Sequence, residues 1–142
     1  MATTTFLSNA DISITQGVTT TDMSDQANAC SVTIGQDSLE STAFGDSGHI
    51  FTGGLQTVEV SITFFLSYGA AEVEAILATC VGTGTTILTI APNSSAPATD
   101  SPEYVLTNCM LASFTPINST VGELATVEAS FTGGTWARDI TP

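Results

Sequence analysis

The chain has 142 residues, 42% of them hydrophobic, and fourteen acidic side chains against one basic side chain, Arg138, for a formal net charge of −13. This length and apolar content describe a single domain that buries its own core, and they exclude a wholly disordered chain. The charge excludes sequence-specific nucleic-acid binding, which needs Arg or Lys to position phosphates, and it opposes docking on anionic membranes.

"MATTTFLSNADIS" opens the chain without a charged leader or a long apolar run, so no signal peptide is expected. No stretch approaches the ~20 apolar residues of a membrane span. "DISIT" then alternates, with Ile12 and Ile14 on one face and Asp11, Ser13 and Thr15 on the other, the period of a half-buried strand. "ACSVTIG" does the same with Cys30, Val32 and Ile34.

Residues 41–54, "STAFGDSGHIFTGG", form a long excursion between two strong strands. The "GDSG" within it is the tetrapeptide that carries the nucleophile of trypsin-like serine proteases. Nucleophilic serine chemistry needs a general base held by a third group. The chain has one histidine, His49, two residues after Ser47, and no lysine. That spacing does not suit the protease arrangement, so catalysis is not expected. What remains is a glycine-rich loop bearing Phe44 and Phe51. Long ordered loops in small domains are usually functional.

"TVEVSITF" places Val58, Val60, Ile62 and Phe64 on one side and Thr57, Glu59, Ser61 and Thr63 on the other. "GAAEVEAILATCVG" breaks the alternation: Val73, Ile76, Leu77 and Cys80 fall at helical spacing. A helix is expected over about 69–81, with Ser67 as N-cap, Glu72 and Glu74 in its first turns and Gly82 ending it. Strands follow at Thr86–Ile90 and Tyr104–Phe114, separated by a proline-rich polar loop, 91–103. "TVEASF" closes the series with Val127, Ala129 and Phe131 opposed to Thr126, Glu128 and Ser130.

The expected fold is therefore all-β, an antiparallel sandwich or barrel with one short flanking helix. No lysine guards any strand edge, which points to edges paired between subunits. The three cysteines, Cys30, Cys80 and Cys109, form no CxxC or Cys/His pair, so neither a metal site nor any other cofactor is expected. They read as reduced, mostly buried thiols of a cytosol-made protein. Acid pairs such as Glu72/Glu74 and Asp22/Asp25 have simpler roles in a helix first turn and a turn than in a glycosidase. One Trp and two Tyr are too few for an aromatic carbohydrate-binding face.

Residues 21–65 resemble the central segment of the small major tail (tail tube) proteins of long-tailed bacteriophages. The likeness is carried by Asp22, Ser24 and Asp25, then Thr42, Phe44, Gly45 and Asp46, then Gly54 and Leu55. "SFTPINSTVGELATVEASF" (113–131) and the closing Gly-Gly-x-Trp-x-Arg-Asp (133–139) extend it over most of the chain. The resemblance implies a virion protein, assembled in the host cytoplasm, whose copies form six-fold rings stacked into a tube for genomic DNA. It also implies partners such as the tape measure and tail terminator, with DNA passing through unbound.

On that reading residues 1–142 are one tube-forming domain, and the stretch at about 38–54 is an assembly loop bearing Phe44, Asp46, His49 and Phe51. The alternative is that both phenylalanines tuck into the chain's own core. Glu59 and Glu128 are expected in the channel with Thr57, Ser61, Thr63, Thr126 and Ser130, because the helix should cover the other sheet. Arg138 is either the cation of an inter-subunit ion pair or a solvated terminal arginine. A capsid decoration protein, a tail terminator and the tube subunit of a contractile injection or secretion system are the alternatives that share this composition.

Overall fold

A computed structural model describes residues 10–142. Eight strands and one helix follow in order: β1 (Asp11–Gln16), β2 (Thr19–Asp22), β3 (Ala27–Glu40), β4 (Phe51–Phe65), α1 (Val73–Cys80), β5 (Thr86–Ala91), β6 (Glu103–Leu111), β7 (Thr126–Thr132) and β8 (Thr135–Asp139). All the strand pairings are antiparallel, in the spatial order β2-β1-β5-β6-β7-β4-β3, with β8 also on β6. The expected all-β architecture with one short helix is the one observed.

The strands make two sheets that share β6. Its first part pairs with β5 and β8; its last two residues, Met110 and Leu111, pair with Thr132 and Phe131 of β7. The change of partner occurs at a bulge. Thr86 faces Cys109 while Leu88 faces Leu106, so β6 carries one extra residue there, and Asn108 sits at φ 62°. Asparagine tolerates this left-handed conformation better than most residues. The bulge shifts the alternation by one, so that Leu106, Cys109 and Leu111 all reach the core.

The corner is completed by the β7–β8 turn. Gly134 has φ 87°, and a Cβ on it would lie 2.1 Å from the carbonyl oxygen of Thr107. Gly134→Ala is therefore expected to destabilise the fold by at least ~2 kcal/mol, since backbone conformation and close approach both forbid a side chain. Chemical denaturation of the variant measures this.

The core lies between the two sheets. Ile12, Ile14, Leu88 and Leu106 from one, and Val58, Val60, Ile62, Phe64, Val127, Ala129 and Phe131 from the other, are all buried. The helix adds Val73, Leu77 and Cys80 to the same cluster. It is shorter than the expected 69–81, because Gly69 (φ 138°) and Ala71 (φ 62°) turn the backbone before it. Glu72, not Ser67, occupies the N-cap position and makes no side-chain cap. Ser67 still serves the helix start: its Oγ accepts the Val73 N–H at 3.3 Å and donates to Glu72 Oε2 at 2.9 Å. Gly82, at φ 73°, follows the helix as expected.

The Asp22-x-Ser24-Asp25 turn ties β2 back to β1. Ser24 Oγ lies 2.6 Å from Asp22 Oδ1 and 3.0 Å from Asp11 Oδ1, and accepts the Ile12 N–H at 2.8 Å. Its side chain and then its backbone N–H hold the Asp22 carboxyl below its ordinary pKa of 3.8. A carboxyl depressed in the folded state contributes stability above its unfolded pKa and loses it as pH falls through the folded value. Ser24→Ala should destabilise the protein by about 1 kcal/mol at neutral pH. Part of that difference should fade below pH 3.8, the upper limit of the Asp22 titration. Thermal melts at pH 7 and pH 3 compare the two conditions.

Candidate assembly interface

Three surfaces of the sheet β3-β4-β7 stand out. The first is its outer face. In β4 the residues between the buried apolar positions, Thr57, Glu59, Ser61 and Thr63, point away from the core. Thr126, Glu128 and Ser130 do so in β7. Register unites the two sets: Glu59 lies opposite Thr132, Ser61 opposite Ser130 and Thr63 opposite Glu128. Ser61 Oγ donates to Glu128 Oε1 at 2.8 Å. Ser31 and Thr33 of β3 extend the same face beside Ser61 and Glu59. All seven residues expected to share a surface therefore share one, a hydroxyl field with two carboxylates. Contrary to expectation, the helix does not cover the opposite sheet and so set this face apart. The helix joins the core common to both sheets, so it distinguishes neither outer face.

The second surface is the sheet's edge. β3 is fourteen residues long, and among the described strands it pairs only with β4. On the far side of the sheet, β7 meets β6 only at Phe131 and Thr132, leaving the flank of Thr126–Ser130 without a strand partner among the described residues. Neither flank carries a lysine or proline to discourage pairing.

The third is an arm. The expected loop of 38–54 is narrower than its sequence suggested: pairing of Ser38–Gly53, Leu39–Thr52 and Glu40–Phe51 carries the strands outward, leaving 41–50 as the tip. Strand pairing here needs only backbone groups, so it proceeds without the buried alternation that marks a strand in sequence. A register shift between Gln36 and Ser38 separates the arm from the body.

The tip is held by its own polar groups. Ala43 N–H donates to Asp46 Oδ2 at 2.7 Å, Ile50 N–H to Thr42 Oγ1 at 2.9 Å, and Ser41 N–H to the Ile50 carbonyl at 2.8 Å. His49 Nδ1 is 2.6 Å from Glu40 Oε1. His49 and then Thr42 hold the Glu40 carboxyl below its ordinary range. Asp46 and His49 thus shape the arm from within.

Phe44 and Phe51 do not. Phe44 is fully exposed and Phe51 is 60% exposed, so neither ring packs in the chain's own core. Leu39, Ile50 and Leu55 are exposed around them. His49 and Phe51 rings lie 6.4 Å apart, while Phe44 stands away from both. Ser47 is also at this exposed tip, and among the described hydrogen bonds none joins it to His49.

Arg138, on β8, is exposed. Its Nη2 is 3.5 Å from the Thr99 carbonyl, and no described acid pairs with it. Cys80 and Cys109 are buried and free; Cys30, on the open β3 strand, is free and exposed. The strand expected over Tyr104–Phe114 ends at Leu111, and the segment 112–125 that follows exposes Ile117, Val121 and Leu124, none of them among the expected site residues. The signal available was three large aliphatics within a run of Ser, Thr, Asn and Gly.

No family model matches the chain, and no curated protein matches it. Solved structures do. A chain from the virion of a native gene transfer agent particle superposes with TM-score 0.64 at 11% identity, covering 93% of this chain and 96% of its own. A chain from the sheath/tube terminator of an extracellular contractile injection system, in the extended state, gives TM-score 0.65 at 14% identity, covering 96% and 97%. A chain from the tail of an empty gene transfer agent particle, refined with C6 symmetry, gives 0.57 at 10%, covering 93% and 95%. At these identities the likeness is one of fold, and it extends over nearly the whole chain: the fold is that of components of tail and tube assemblies.

Proposed function

We propose that this chain is a structural subunit of a tail-type tube, with copies joined side by side into six-fold rings, and rings stacked into a conduit for genomic DNA. The observation that carries the reading is the open β3 edge. A fourteen-residue strand that among the described residues is paired on one side only, and that carries no lysine or proline, is a template for another strand. The bare flank of β7 on the other side of the same sheet is the complementary edge. Joining one to the other is a heterologous contact, which closes into a ring when the rotation permits. The C6 symmetry of a tail containing a chain of the same fold supports six copies.

The outer face of that sheet then becomes the channel wall, lined by Glu59 and Glu128 among short hydroxyl side chains. DNA binds proteins chiefly through phosphate–cation contacts. A wall of carboxylates and hydroxyls offers none, so the duplex slides past on water. The arm, with Phe44 and Phe51 free, makes the contact between rings. Arg138, exposed and without an acidic partner among the described residues, is available to an acid of a neighbouring copy.

Electron microscopy of the concentrated, purified protein tests this. Six-fold rings and tubes are expected. A monomer at all concentrations overturns the reading, and trimers point to a capsid decoration role. Rings that never stack favour a terminator, a reading supported by the terminator chain of matching fold.

A further inference from the structure

We infer that residues 112–125 form the seat for the arm of a second copy of this chain in the next ring. The inference rests on the tube reading and names the surface that the arm meets.

The two surfaces lie at opposite ends of one strand. β4 begins at Phe51, at the root of the arm tip, and ends at Phe65, opposite Thr126. The segment 112–125 leads into that Thr126. Fifteen residues of extended chain separate the ends by about 50 Å. Two different patches at opposite ends of a molecule make a head-to-tail contact, which repeats as an open stack where no rotation closes it.

The seat is built. Tyr68 Oη donates to the Pro116 carbonyl at 2.7 Å, Asn118 Nδ2 to the Thr126 carbonyl at 2.9 Å, and Glu123 N–H to the Thr120 carbonyl at 3.0 Å. Leu66 N–H bonds the Ala125 carbonyl at 2.9 Å. On this ordered frame Ile117 is 80%, Leu124 80% and Val121 fully exposed.

Size favours the same occupant. Covering a phenylalanine removes about 150–250 Å² and an aliphatic side chain roughly half that. At their exposed fractions Phe44, Phe51, Leu39, Ile50 and Leu55 of the arm and the three seat residues together offer roughly 600–1,000 Å², which approaches the scale at which specific interfaces begin and suits a contact repeated on every subunit of a ring. Charge agrees. Of fourteen acids, only Asp46 lies in the tip 41–50 and only Glu123 in 112–125. Contact between these two stretches sets few carboxylates against one another in chains that otherwise repel.

The test uses complementary variants of the full chain. An arm variant carries Phe44→Ser and Phe51→Ser; a seat variant carries Ile117→Ser, Val121→Ser and Leu124→Ser. Each alone should give rings that do not stack, and an equal mixture should give ring pairs and nothing longer. Seat variants that form tubes of normal length overturn the inference while leaving the tube reading intact. A wild-type chain that forms no rings overturns both. Should the triple variant misfold, Ser47→Cys with Ser119→Cys, two exposed positions that leave every apolar contact residue in place, in a Cys30→Ser background decides the matter. A bismaleimide linker should ladder this chain in tubes and neither single-cysteine parent. Absence of the ladder in intact tubes overturns the inference.

Discussion

Replacing Phe44 and Phe51 together by serine is expected to abolish tubes while leaving the subunit folded. Both rings are exposed, so the folded chain loses little by their removal, within about 0.5 kcal/mol for surface positions of this kind. The tip keeps its shape, because the bonds that hold it run through Ser41, Thr42, Ala43, Asp46 and Ile50 rather than through the aromatic rings. An interface, by contrast, concentrates its energy in a few aromatic anchors, each contributing roughly 2 kcal/mol or more. Two anchors lost on every subunit of a ring remove most of what joins it to the next. Circular dichroism and thermal melting should be close to wild type, and electron microscopy should show no tubes. Tubes of normal length would remove the arm from the assembly mechanism. A variant that fails to fold would mean that the rings pack within the subunit, contrary to their exposure.

Reversing the two lining charges should separate assembly from conduction. Glu59 lies between Thr33 and Thr132, and Glu128 beside Ser61 and Thr63, so lysine at either position projects from the same outer face. Charges within about 8 Å repel appreciably at physiological salt. Glu59→Lys/Glu128→Lys therefore removes repulsion within a strongly acidic assembly and should allow tubes to form at least as well at low salt. The same lysines give each ring a band of phosphate-binding groups. DNA release should slow markedly, and the delay should shrink as salt rises, because phosphate contacts weaken with counterion concentration. Ejection kinetics in particles carrying the variant measure this. Rates equal to wild type, or tubes with both residues on the outer wall, would refute the lining.

The faces of β4 and β7 were legible from the chain alone. From Thr57 to Phe64 and from Thr126 to Phe131, apolar and polar residues alternate without interruption, and a strand admits no other arrangement once one side is buried. The all-β class and the outward side of Glu59 and of Glu128 follow from that period, and the helix from the helical spacing of Val73, Ile76, Leu77 and Cys80; the register of β4 on β7 joins the two glutamates on one face. β2 and β8 were not legible: "TTTD" and "TWARD" bury no alternating side, and they are strands because a neighbour supplies the hydrogen bonds. Nor was the bulge at Asn108, whose extra residue breaks the period that reveals a strand.

The assembly surfaces divide in the same way. The glycines and phenylalanines of 41–54 mark an unusual segment in any reading of the sequence. Their exposure depends on a hairpin that projects beyond the core, where backbone pairing rather than burial holds the strands together. The apolar residues of 112–125 look like core material in sequence. Only the path of the chain, pinned at Pro116, Asn118 and Ala125, turns them outward. Local pattern determines which side chains share a face. Which faces remain uncovered is set by contacts between segments far apart in the chain, and the tertiary structure alone decides it.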